Sequence, residues 1–166
     1  MARFSLFSIV LCVVPLAATF GEEKPSPLDK DRKAIQGIWI VESAHRDGKK
    51  IPDNERVEGP VLYAIKVMED KFQISLEKSG EEYKFAGEPI PFSLDVSASP
   101  RIIEFDFSPS EKGYCIYSIK DGQLSLGFNY KDGPLGDATK VREKLPKSFE
   151  TKLGDGSYVF VLKKAK

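Results

Sequence analysis

Downstream of Gly37, apolar residues recur at every second position, and this rhythm restricts the chain more than any other feature of it. Ile103, Phe105 and Phe107 alternate with Ile102, Glu104 and Asp106. Phe72, Ile74 and Leu76 alternate with Gln73, Ser75 and Glu77. The same holds for Leu124, Leu126 and Phe128 against Ser125, Gly127 and Asn129, and for Tyr158, Phe160 and Leu162 against Val159, Val161 and Lys163. Extended chain sends successive side chains to opposite faces, so each run predicts a strand with one buried face.

Turn chemistry separates the runs. Asp47-Gly48, Asp121-Gly122 and Asp155-Gly156 are hairpin signals, and Glu69-Asp70 and Ser79-Gly80 also read as turns. Further strands are expected at Gly37–Val41, Val61–Met68, Glu82–Ala86, Ile90–Val96, Tyr114–Lys120 and Ser148–Lys152. Pro89 and Pro91 cannot donate to a ladder and mark an edge, bulge or corner. Asn129 to Pro146 reads as a long polar connection. Its Lys131, Lys140, Arg142 and Lys144 could guard a barrel mouth or meet an acidic partner. Asp29–Gln36 predicts one short helix, capped at Asp29, stopped at Gly37, with Leu28 and Ile35 as apolar contacts. No helix-length pattern separates the strands, which argues against a parallel sheet. The fold class is therefore all-β: a single antiparallel up-and-down barrel of about eight strands with a short N-terminal helix.

The start of the chain has a different character. Arg3 precedes an apolar run from Phe4 to Val14; Pro15 and the small residues Ala17, Ala18, Thr19 and Gly21 follow. This pattern predicts a secretory signal peptide at 1–21, a flexible leader at 22–28 and a barrel domain at 29–166. The apolar run is short for a membrane span, so no transmembrane segment is expected after cleavage. Periplasmic or extracellular residence follows from that route. Cleavage after Gly21 leaves 145 of the 166 residues and removes Arg3, so 24 bases face 25 acids. Such a balance gives no reason to expect nucleic acid as a partner. Cys12 leaves with the signal, and Cys115 alone cannot form an internal disulfide. Its place in an apolar strand predicts a buried thiol.

Gly37-Ile38-Trp39, just after the short helix, resembles the G-x-W opening of lipocalins and other calycins. More of the chain resembles an uncharacterised lipocalin-like exported domain family found largely in planctomycete bacteria. The matching segments are Leu28–Val41, Asp47–Pro52, Tyr117–Phe128, Leu145–Glu150 and Gly154–Lys164. Leu145 stands where that family usually has Arg, and the last strand offers Lys163 and Lys164 where calycins commonly have Arg. The resemblance implies a calycin-like barrel with Gly37 and Trp39 at its closed end; it carries no activity to transfer to any residue.

Tyr63, Phe72, Phe85, Phe92, Phe105, Phe107, Tyr117 and Phe128 are the candidate barrel-lining residues. An eight-stranded barrel can either fill with such rings or hold one small ligand. His45 is the only histidine, and neither another His nor a mature Cys completes a zinc set. Glu104 and Asp106 share a face opposite the apolar residues and read as solvated. No G-x-S-x-G and no phosphate loop is present. No catalytic residue, metal site or cofactor is expected. The sequence thus points to an exported, non-catalytic module binding a small hydrophobic or amphipathic ligand. The alternative is an exported interaction or scaffolding module with a solid core, partnered by an envelope or extracellular protein.

Overall fold

The computed structural model describes residues 24–52, 62–80, 82–129, 135–136 and 138–165. The expected signal peptide with Cys12, the start of the second expected strand at Val61 and Lys131 of the long connection lie outside them.

The first element is α1 (Pro27–Ile35). It starts inside the stretch expected to be leader. Ser26, not Asp29, is the cap: its Oγ accepts from the Asp29 amide at 3.1 Å and donates to Asp29 Oδ2 at 2.6 Å. Pro27 occupies the first helical position, where the missing N–H costs nothing. Ile35 is fully buried, Leu28 half so.

Eight strands then run up and down in chain order: β1 (Gly37–Arg46), β3 (Ala64–Met68), β4 (Lys71–Ser79), β6 (Ile90–Asp95), β7 (Arg101–Ser108), β8 (Glu111–Lys120), β9 (Gln123–Asn129) and β11 (Ser157–Lys164). Each pairs antiparallel with the next, and β11 returns to β1, so the sheet closes into an eight-stranded barrel. Three short strands lie off this ring: β2 (Lys49–Ile51) beside β1, β5 (Glu82–Phe85) beside β4, and β10 (Leu135–Gly136) beside β8. Asp47-Gly48 and Asp121-Gly122 have positive φ at both residues (52° and 77°, 52° and 75°), the geometry that matches the twist of a two-residue hairpin. Glu42 is skipped in the β1–β11 register between Val41 and Ser43, a bulge in the first strand.

The helix lies across one end and seals it. Trp39 is 1% exposed, and its Nε1 donates to the Ile35 carbonyl at 2.7 Å. Lys164 Nζ stands 5.4 Å from the centroid of the indole, a cation set over the ring. Gly37 has φ 109°, and a methyl group there would stand 3.1 Å from Lys164 Cε. Two constraints therefore select glycine ahead of this tryptophan. Gln36 fastens the lid to the β3–β4 turn: its side chain donates to Glu69 O at 3.0 Å and accepts from Glu69 N at 2.7 Å.

Two expectations about the C-terminal third are corrected. Ser148–Lys152 is not a strand; it is irregular chain. The connection after Asn129 is not merely polar coil. Within it β10 pairs Leu135 with Gly113 and Gly136 with Lys112, and α2 (Ala138–Glu143) packs on β8. This strap is pinned by Arg142, whose Nη2 donates to Asp95 Oδ2 at 2.6 Å and whose guanidinium lies 5.9 Å from the Tyr114 ring centre. Tyr114, Ile116 and Val159 stand on the outer face by register, yet all are buried. The outside of this wall is thus a second small apolar layer.

Replacing Trp39 by Ala should cost about 3–5 kcal/mol in urea unfolding, the usual toll for a large buried ring. Lys164→Ala, which removes a solvent-facing cation from the same ring, should cost about 0.5–1 kcal/mol.

Candidate functional site

The barrel interior is solid in its lower half and hollow above. At the closed end Phe92 meets Phe72 edge-on, with ring centres 6.2 Å apart, and Ile65, Ile103 and Leu162 are fully buried. Above this layer lies one cavity of about 180 Å³. Of the eight candidate lining residues, Phe72, Phe105, Phe107 and Phe128 border it. Phe72 and Phe105 form a T-shaped pair at 5.0 Å on one side; Phe128 and Phe160 pack at 6.0 Å on the other. Ile74, Leu76, Ile90, Leu126 and Cys115 complete the apolar wall, with Leu62.

The other four candidates are placed elsewhere. Phe85 pairs with Ser75, which alternates with the cavity residues Ile74 and Leu76, so it belongs to the opposite face. Phe92 lies in the solid layer beneath. Tyr63 is half-buried, does not border the cavity, and joins neighbouring strands through its backbone, which bonds Val41 N and Ser75 O. Tyr117 points to the closed end, where its hydroxyl finds a partner. Alternation assigns a side chain to a face but not to a height along the barrel axis, and height is what separates Phe92 and Tyr117 from the cavity residues.

That partner is a buried carboxylate not singled out from the sequence. Asp31 of α1 is 7% exposed. Its Oδ2 accepts from Tyr117 Oη at 2.6 Å, and Arg101 Nη1 donates to both its oxygens at 2.7 and 2.6 Å. A buried charge this well partnered is tolerable, and removing one partner would leave the other stranded. The available signal was spacing: Asp31 lies four residues before Ile35, on the same helical face.

The mouth faces away from this lid. Lining residues are buried low in the cavity (Phe72 4%, Phe160 2%) and exposed at its rim (Leu76 53%, Phe107 43%). Polar groups lie outside the wall. Glu104 and Asp106 share Lys112 Nζ, with the Asp106 contact at 3.0 Å. His45 Nε2 lies 3.1 Å from Ser43 Oγ. Among the described residues, no group of three or more His, Cys, Asp or Glu is placed to hold a metal ion.

Cys115 is 4% exposed and borders the cavity; burial alone pushes its thiol up to about 12. Burial, then the hydrogen bond to Asp31, also raises Tyr117. Both groups bind their protons more tightly folded than unfolded. Their contribution is complete below the unfolded values, near 8.5 for Cys and 10 for Tyr, and is lost as pH rises beyond them.

Comparison of the chain with protein-family models, with curated proteins and with solved structures gives no match. No helix among the described residues is long and apolar enough to cross a membrane.

Unfolding free energy measured by denaturant should therefore fall between pH 9 and 12, at about 1.4 kcal/mol per pH unit for each group that titrates only on unfolding. Cys115→Ala should flatten the early part of that slope; an unchanged slope would mean the thiol is not shielded.

Proposed function

We propose that this chain is exported with loss of residues 1–21 and acts as a non-catalytic, lipocalin-like module that holds one small apolar or amphipathic molecule in its barrel. The cavity of about 180 Å³ with its apolar wall carries this reading. Its size sets the ligand. A cavity of about 150 Å³ takes benzene, so this one suits roughly seven non-hydrogen atoms. At about 0.8 kcal/mol per buried methylene, a filled cavity supports a Kd on the order of 0.1 mM. A larger amphiphile would place its apolar end inside and its remainder past Leu76 and Phe107. The G-x-W opening and the other matching segments support placing the chain with the planctomycete lipocalin-like family. The charged start, short apolar run and small residues before Glu22 support export.

Titration calorimetry with toluene or a C6–C7 alcohol should show one site per chain. Leu126→Trp, which fills the cavity, should abolish the heat while thermal unfolding stays cooperative. No binding by the folded wild type would favour the scaffolding reading with an envelope partner. N-terminal sequencing of protein recovered from its host should begin at Glu22; a retained Met1 would remove export from the proposal.

A further inference from the structure

The end of the barrel that carries the cavity mouth also carries an unusual turn. The irregular chain before β11 brings Leu153 to its apex, and this side chain is 87% exposed. Isolated exposed leucines are ordinary, but this one is held in place. Lys152 N donates to Asp155 Oδ2 at 2.8 Å, and Asp155 N donates back to Lys152 O at 3.1 Å. The turn is also laced to the β1–β2 hairpin: Gly154 N donates to Asp47 Oδ1 at 2.9 Å, and Gly48 N to Thr151 Oγ1 at 2.9 Å. The leucine is therefore presented by a braced double turn.

Its surroundings are basic. Arg46, Lys49 and Lys50 lie across a cleft of about 240 Å³ from Leu153, with the aliphatic Ile51 and Pro52 beside them. Lys152 precedes it in the turn. The two carboxylates in the same double turn, Asp47 and Asp155, accept backbone N–H bonds that build it, and Asp47 Oδ2 also lies 3.9 Å from Arg46 Nε. Four cations thus stand against two acids, on a chain whose whole-sequence charge is zero. Leu76 and Phe107, the next most exposed large apolar residues among those described, lie at the same end on the cavity rim.

We infer that this end docks on anionic lipid bilayers, with Leu153 entering the interface and Arg46, Lys49, Lys50 and Lys152 meeting the headgroups. An apolar tip ringed by cations is the chemistry that an acidic membrane surface accepts. The inference does not depend on what fills the cavity, but it brings the mouth to the phase in which apolar molecules are concentrated. Each cation near such a surface is worth about fivefold in partitioning, and full burial of a leucine about ten- to hundredfold.

The test uses the chain from Glu22 onward, because residues 1–21 are apolar enough to bind lipid themselves and the described barrel closes without them. Flotation is measured with phosphatidylcholine vesicles, with and without phosphatidylglycerol. The wild type should bind the anionic vesicles and release them as salt rises. Leu153→Ser should weaken partitioning about tenfold or more, and Lys49→Gln with Lys50→Gln on the order of twentyfold. These residues are exposed, so circular dichroism should match the wild type. Leu126→Trp should float like the wild type, which separates this surface from the cavity. Equal binding to both vesicle types, no binding by a folded wild type, or no loss in Leu153→Ser would overturn the inference. So would concentration-dependent self-association abolished by Leu153→Ser, since a second copy would then cover the patch.

Discussion

The hydrogen bond from the Trp39 indole to the Ile35 carbonyl joins α1 to the first strand of the barrel wall. The other closed-end features are arranged around that junction. It fixes where α1 lies, and hence where Asp31 meets Arg101 and Tyr117 and where Gln36 meets the β3–β4 turn. It also explains the glycine two residues earlier, whose backbone must swing to positive φ while leaving room for Lys164. An indole buries a large apolar area and still has one N–H to satisfy, so a helix C-terminal carbonyl is a suitable partner for it.

With one end sealed by packing and a satisfied buried charge, the asymmetry of the barrel follows. Aromatic and branched side chains fill the volume near the lid. Farther up, the rings of Phe105, Phe128 and Phe160 line a space they do not close. Ionic and hydroxyl groups near this space are on the outside of the wall or in the lid, so the space is bounded by apolar side chains.

The barrel was legible because its period is short and clean: Ile103, Phe105 and Phe107 needed only their neighbours Glu104 and Asp106 to declare a face. The Asp-Gly pairs declared two of its hairpins. What the pattern hid has physical causes. The expected leader at 22–28 overlaps the helix because Pro27 begins a helix as well as any residue. The burial of Asp31 was not legible because its partners come from strands about seventy and eighty-six residues away. The strap was obscured by its Gly and Pro content, and its apolar footing, Tyr114, Ile116 and Val159, sits on the face that alternation assigns to solvent. Phe92 and Tyr117 lie in the barrel core but nearer the lid than the cavity, a distance to which alternation is blind, and Phe85 stands on the other face. The methylene stem of Lys164 passes beside Gly37 and delivers its charge to the Trp39 ring.

The strap has a mechanical consequence for the hollow end. The ladder between β8 and β9 runs only from Ile116 to Lys120 on one side and from Gln123 to Gly127 on the other. Beyond Ile116, β8 finds its partner in the two residues of β10 instead. The barrel is therefore joined by short ladders at two places: β10 covers upper β8 through two residue pairs, and β4 meets β6 through two. Strain applied to the hollow end would open these short ladders before the long β1–β11 and β9–β11 ladders.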